Sequence, residues 1–210
     1  MQPANKCDLD RAYLYGLGRL DHPDQEEMEQ SYSLSPPEAQ TEKFQVLEPA
    51  VKALIKNLED PKGTKVSILV GPTGTGKSVW APLQILRSKI GQEGRICVTQ
   101  PRLVTLRAEK GKGDDTTTPG FVAKMLGADS IGAGQEVGLL FSGESSKQDR
   151  YTRLLYVTDG ILIRWILSGQ LARFSVIVID EAHEQSANME LIFALLRYHL
   201  PLYPRLRLVI

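Results

Sequence analysis

Cysteine is nearly absent from this chain: Cys7 and Cys97 are the only two in 210 residues. No disulfide framework is expected, and this usage fits a reducing, intracellular compartment, with nucleus and cytoplasm both open. Long apolar runs are missing as well. No stretch reaches the length of a membrane span and no signal peptide opens the chain, so no membrane partner is expected. Net charge is lacking too, with 25 basic and 25 acidic residues. The balance is uneven along the chain, however. Residues 1–60 carry six Lys/Arg against twelve Asp/Glu, and residues 61–210 carry nineteen against thirteen. The later part is therefore net positive, a modest electrostatic hint of a polyanionic partner.

The length suits one domain with a sizeable core plus some loosely packed chain. Residues 1–43 are acidic, polar and broken by Pro3, Pro23 and the Pro36-Pro37 pair. They read as a flexible arm or linker, with a partner-binding segment as the alternative. From Glu48 onward Val51, Leu54, Ile55 and Leu58 recur at helical spacing, and Asp60-Pro61-Lys62-Gly63 supplies the stop. The domain proper is expected to span residues 44–210.

The stretch Ser175 to Ile179 is continuously apolar after its first residue and mostly β-branched, and it runs into Asp180-Glu181-Ala182-His183. Such a run predicts a central strand buried on both faces of a parallel sheet. Its acids then emerge at the carboxyl end, where open α/β sheets bind ligands. Lys65 to Val70 predicts another strand, which enters Gly71-Pro72-Thr73-Gly74-Thr75-Gly76-Lys77-Ser78. This is a full G-x-x-x-x-G-K-S phosphate loop. Its glycines permit a tight backbone turn, so that several N–H groups point at one phosphate cluster, and the helix that starts there adds its positive end. Lys77 is placed to bridge the β- and γ-phosphates of ATP or another nucleoside triphosphate, and the Ser78 hydroxyl to ligate Mg²⁺. Asp180 is the second candidate metal residue, and Glu181 beside it is the candidate for orienting and deprotonating the attacking water, at the metal's edge. Ordinary caps after a strand are the alternative reading of this acidic pair. Pro82 is expected to interrupt the helix after the loop and to kink it.

Further strands are expected at Arg95 to Thr99, near Val137 to Phe141, at Leu154 to Val157 and from Arg205 to Ile210. Thr99-Gln100-Pro101-Arg102 marks a sharp exit from the sheet, because the residue before a proline avoids the helical region. Lys110 to Gly120 is polar and reads as a surface insertion. A short helix is expected around Phe121 to Leu126. Thr158-Asp159-Gly160 opens a helix with Ile161, Leu162, Trp165 and Ile166 on one face, and either Thr158 or Asp159 could serve simply as its cap. Another helix is expected over Ala187 to Leu200, stopped by Pro201.

In order, these segments resemble the motifs of the DEAH-box helicases of superfamily 2. Gly71 to Ser78 resembles motif I, Thr99 to Arg102 motif Ia, Thr158 to Leu162 the segment called Ib, and Asp180 to Ser186 motif II with its extension. The resemblance spans roughly residues 45–210. It implies an α/β fold: a three-layer RecA-like P-loop NTPase domain with a mostly parallel central sheet. It also implies the ATP-binding lobe of an ATP-dependent RNA helicase, with Mg²⁺ and single-stranded RNA as ligands; single-stranded DNA and a protein activator are further partners it allows.

By this resemblance Lys77, Glu181 and His183 carry the chemistry. His183 links the nucleotide to a second lobe, although a histidine at a helix start is more often structural. Arg102, Thr158 and Asp159 face the nucleic acid and position its backbone without reading sequence. The Ser-Ala-Thr motif and the second RecA-like lobe with its arginine fingers lie beyond Ile210 in the family. The chain therefore reads as a truncated first lobe, expected to turn over poorly alone. Two other readings stay open: a P-loop NTPase that ignores nucleic acid, and a lobe that binds nucleotide or a partner without turnover.

Overall fold

The computed structural model describes residues 44–72, 74–101, 106, 116–128, 130–132, 134–141, 147–184 and 186–210. The expected arm at residues 1–43, Thr73, Arg102 and residues 110–115 of the surface insertion lie outside them.

Apolar runs rather than alternating ones dictate the centre of the fold. Phe174–Ile179 (β5), Leu154–Val157 (β4) and Arg95–Thr99 (β2) are buried along nearly their whole lengths. With Val66–Ser67 (β1), Val137–Leu140 (β3) and Arg207–Val209 (β6) they form a sheet ordered β1-β6-β5-β2-β4-β3. Every named pairing is parallel. Parallel neighbours need crossovers, and these are supplied by helices that cover both faces.

One face packs against α1 (Glu48–Glu59), α2 (Lys77–Arg87), α3 (Lys89–Gln92) and α4 (Thr118–Met125). Ile96, Val98, Leu154, Tyr156, Val176 and Val178 point into that layer. The opposite face packs Cys97, Leu155, Val157, Ile177 and Ile179 against α5 (Asp159–Leu167) and α6 (Ala187–His199). The period-two division of adjacent residues between two cores is what a strand buried on both faces requires. Cys97 is fully enclosed, and burial pushes its thiol up to about 12, so it is an inert core residue.

Most elements fall where the sequence places them, with local differences. Paired strand β1 is confined to Val66–Ser67 rather than running from Lys65 to Val70. The backbone stays extended for a little longer, and the Leu69 N–H donates to the Ile210 carbonyl at 2.7 Å. Val66, Ile68 and Val70 are exposed, because β1 is the outer strand of the described sheet. Helix α4 starts three residues earlier than Phe121, because the Thr117 hydroxyl accepts from the Gly120 N–H and caps it at Thr118. Helix α2 runs unbroken through Pro82 from Lys77 to Arg87, where sequence reasoning expects an interruption.

Candidate functional site

The six described strands are parallel, so their carboxyl ends lie along one edge of the sheet. That edge gathers the phosphate loop after β1, Gln100 after β2, Thr158 after β4 and Asp180 after β5. Five residues after Ser67 the chain is already in the loop. Gly74 and Gly76 both have positive φ, 80° and 86°. At Gly76 a Cβ would also stand 2.1 Å from the Phe44 ring, so only glycine fits there. The Thr75 hydroxyl donates to the Pro72 carbonyl at 2.8 Å and braces the turn. Lys77 Nζ reaches back across the loop to the carbonyls of Gly71 and Pro72, at 2.6 and 2.8 Å. The lysine ammonium is thus folded back onto the loop it follows, and α2 starts at the same place, with the Val79 and Trp80 N–H groups both donating to the Gly76 carbonyl.

A second aromatic device fixes this helix from behind. Phe44 stacks on Trp80 with ring centroids 4.9 Å apart, and the Trp80 indole N–H donates to Glu48 at 2.8 Å. Together they tie α1 to α2.

The proline in α2 explains a contact that sequence reasoning misses. Proline at position i removes the donor for the carbonyl at i−4. For Pro82 that carbonyl belongs to Ser78. The Tyr156 hydroxyl, on β4, donates to it at 3.0 Å. Tyr156 is completely buried, and burial, with a smaller contribution from the Asp180 carboxylate, pushes its phenol well above its ordinary value. It stays neutral, and towards the Ser78 carbonyl its hydroxyl is the donor. The same tyrosine therefore touches the Ser78 backbone and lies within the field of Asp180.

Asp180 is buried at the end of β5. Its Oδ1 accepts the Glu181 backbone N–H at 2.9 Å, and its Oδ2 accepts the Gln100 side-chain amide. Glu181 has φ 51°, among the described residues the one non-glycine in the left-handed region. Strain of this kind costs on the order of 1–3 kcal/mol and persists where surrounding structure imposes it. It turns the Glu181 side chain away from the strand line, half-exposed, with His183 Nε2 3.4 Å from its carboxylate. His183 itself is largely exposed. Among the described residues no group of three or more His, Cys, Asp or Glu side chains could hold a metal. One or two carboxylates and a hydroxyl suit magnesium, which keeps waters and completes its shell with phosphate oxygens. Ser78, Asp180 and Glu181 fit that chemistry.

On the other side of Gln100, Thr158 takes the N-cap position of α5 in extended conformation, yet makes no side-chain capping bond. Of the two simple capping assignments, neither is seen as a side-chain bond. Asp159 follows in the first turn with 4 % exposure, and its Oδ1 has no hydrogen-bond partner among the described residues. Burial, then the Glu184 carboxylate, raises its pKa from the ordinary value. Of the residues expected along the nucleic-acid side, the structure describes Thr158 and Asp159 at the end of β4.

Taken together, the sheet order, the loop and the acidic strand end define a RecA-like P-loop nucleotide-binding lobe. The comparisons with known proteins narrow this further. A model of the DEAD/DEAH box helicase family matches residues 48–205. The chain belongs to that family. It is 33% identical over 148 residues to a probable ATP-dependent RNA helicase DHX35 homolog of Caenorhabditis elegans, a match covering 68% of this chain and 18% of that protein. It is 31% identical over 137 residues to the ATP-dependent RNA helicase HrpA of Borreliella burgdorferi, covering 65% and 15%. The crystal structure of the Escherichia coli DEAH/RHA helicase HrpB superposes with a TM-score of 0.62 at 25% identity, covering 78% of this chain and 19% of that one. This chain thus spans less than a fifth of the length of the relatives it matches.

Two outcomes follow from this geometry. Tyr156→Phe leaves the Ser78 carbonyl without a donor and should destabilise the chain by about 1–3 kcal/mol in urea unfolding. In a Pro82→Ala background the backbone N–H returns, and the cost of Tyr156→Phe should shrink. Equal costs in both backgrounds would refute the compensation.

Asp159 holds its proton to higher pH when folded than when unfolded. Its contribution is therefore most favourable below the unfolded value of about 4 and is lost as pH rises towards the raised folded value. Asp159→Asn should accordingly raise the melting temperature at pH 7, and this gain should vanish as pH falls below about 4. A constant or negative difference across that range would contradict the assigned cost.

Proposed function

We propose that residues 44–210 form the ATP-binding lobe of an ATP-dependent RNA helicase, with residues 1–43 as an appended acidic arm. The observation that carries this reading is the single edge on which the phosphate loop, Asp180-Glu181 and Thr158 stand together. The loop amides and the Lys77 ammonium receive the β- and γ-phosphates; the ammonium exchanges two carbonyl partners for anionic oxygens. Thr73 belongs to the same loop by sequence. Ser78, Asp180 and Glu181 are the residues that would hold Mg²⁺, which when bound supplies charge neutralisation on the phosphates. Glu181 orients the attacking water and accepts its proton; its displaced backbone aims the carboxylate out of the strand line. His183, through its contact with Glu181, relays the state of that acid to a second RecA-like lobe. Such a lobe would contribute arginines against the charge that redistributes in the transition state.

The nucleic acid is single-stranded RNA on this reading, with DNA as the alternative. Two named relatives are described as RNA helicases, and that favours RNA. Thr158 offers its hydroxyl and the N-terminus of α5 to a phosphate, Asp159 shapes that turn from beneath, and Arg102 supplies the positive charge. Because these contacts meet the backbone, movement along the strand is tolerant of sequence. A protein activator acting on the lobe is compatible with this arrangement.

Calorimetric titration tests the nucleotide reading. Lys77→Ala should weaken binding of the magnesium-triphosphate by about tenfold to a hundredfold, the worth of a charge-assisted hydrogen bond or two. Unchanged affinity would remove the assignment. For the nucleic acid, Arg102→Ala should lower the affinity for single-stranded RNA about equally for all sequences and reduce the slope of log affinity against log salt by about one. Fluorescence anisotropy over a salt series reads both. A sequence preference lost on mutation would show base readout and refute the model.

A further inference from the structure

An aspartate that shares a metal with phosphate oxygens must present its carboxylate in one orientation, although its terminal torsion is soft. Asp180 is held at both oxygens. The Glu181 N–H fixes Oδ1 at 2.9 Å, and the Gln100 amide donates to Oδ2. Gln100 is 3 % exposed and sits directly after β2. Its placement beside Asp180 is set by register, since Thr99 pairs with Ile179. Its own backbone N–H donates to the Val157 carbonyl at 2.8 Å, at the end of β4 and one residue before Thr158. A single buried residue therefore joins the β4 end to the acidic end of β5.

We propose that Gln100 is a positioning residue for the metal-holding carboxylate of Asp180. This rests on the preceding assignment of Asp180 as a metal residue. The chemistry of the side chain favours the role. A lysine or arginine at this place would also orient the carboxylate, but its charge would compete with the cation. A neutral amide orients without neutralising. A carboxylate has about four lone-pair sites, so two donors leave one free direction on each oxygen for a cation or its waters. Groups that orient a metal ligand in this way typically carry about tenfold to a hundredfold of metal affinity. The tie to Val157 adds that the Thr158 turn and the Asp180 carboxylate are joined through one residue, by its backbone N–H on one side and its side-chain amide on the other.

The test uses the 210-residue chain and a fluorescent ATP analogue, titrated in Mg²⁺ and separately in EDTA. Wild type should bind more tightly in Mg²⁺. Gln100→Met, of similar shape but with no donor, should cut that metal-dependent gain by about tenfold or more and leave the EDTA affinity unchanged. Gln100→Asn, whose amide falls one carbon short, should behave in the same way, and carries the readout if the methionine variant does not fold. Retention of the full metal-dependent gain by either folded variant overturns the proposal. So does an equal loss in both media, or failure of both variants to fold, since each marks a purely structural residue. Asp180→Asn separates the two levels. If it abolishes the gain while Gln100→Met keeps it, only the positioning role is lost. If Asp180→Asn keeps the gain, or wild type shows none, the metal assignment fails and the proposal falls with it.

Discussion

The parallel pairing of β5 with β2 is the constraint on which the rest of the site depends. Register between these two strands, Thr99 beside Ile179, decides what stands beside Asp180. A slip of one residue would turn Gln100 to the opposite face and leave a buried carboxylate without its second donor. It would also exchange the two cores, because Val176 and Val178 serve one layer while Ile177 and Ile179 serve the other. The register is thus held from both faces at once by hydrophobic burial. The polar contacts at the strand ends inherit their precision from it.

Two buried side chains link the strand ends that carry the candidate residues. Tyr156 connects β4 to the Ser78 carbonyl, and Gln100 connects β2 and the end of β4 to Asp180. Both side chains are buried and neutral. Neutral donors impose geometry without adding charge, which suits the polyphosphate and divalent cation proposed for this edge. At Glu181 the chain leaves the strand abruptly in a left-handed conformation, so that of two adjacent acids Asp180 is buried and Glu181 half-exposed.

Pro82 shows how a local rule can be right in mechanism and wrong in outcome. Proline does delete the hydrogen bond to Ser78, as its chemistry demands. The helix nevertheless continues from Lys77 to Arg87, and a tyrosine 78 residues beyond Ser78 donates to the carbonyl that the proline leaves without its helical partner. The same reasoning applies to the N-cap of α5. Thr158 is a residue type that caps helices well, yet its hydroxyl is not spent on the helix. Local propensity describes what a residue can do, and the surrounding fold decides which of its groups remain available.

Sequence by itself determined the class of fold, the strands at 95–99 and 154–157, the phosphate loop and the acidic strand end. These are local in origin: β-branched runs, glycines at a fixed spacing and a lysine-serine pair need only their neighbours to be read. Tertiary structure alone decided the length of β1, the continuity of α2, the burial of Asp159 and the partners of Asp180 and Ser78. Gln100 is 80 residues from Asp180 in sequence, and no periodicity or spacing records which strand lies beside β5. That choice follows from packing two hydrophobic layers on a twisted parallel sheet, a global condition on the whole chain. The loop and the acids could be recognised residue by residue; what holds them in place could only be seen once the strands were side by side.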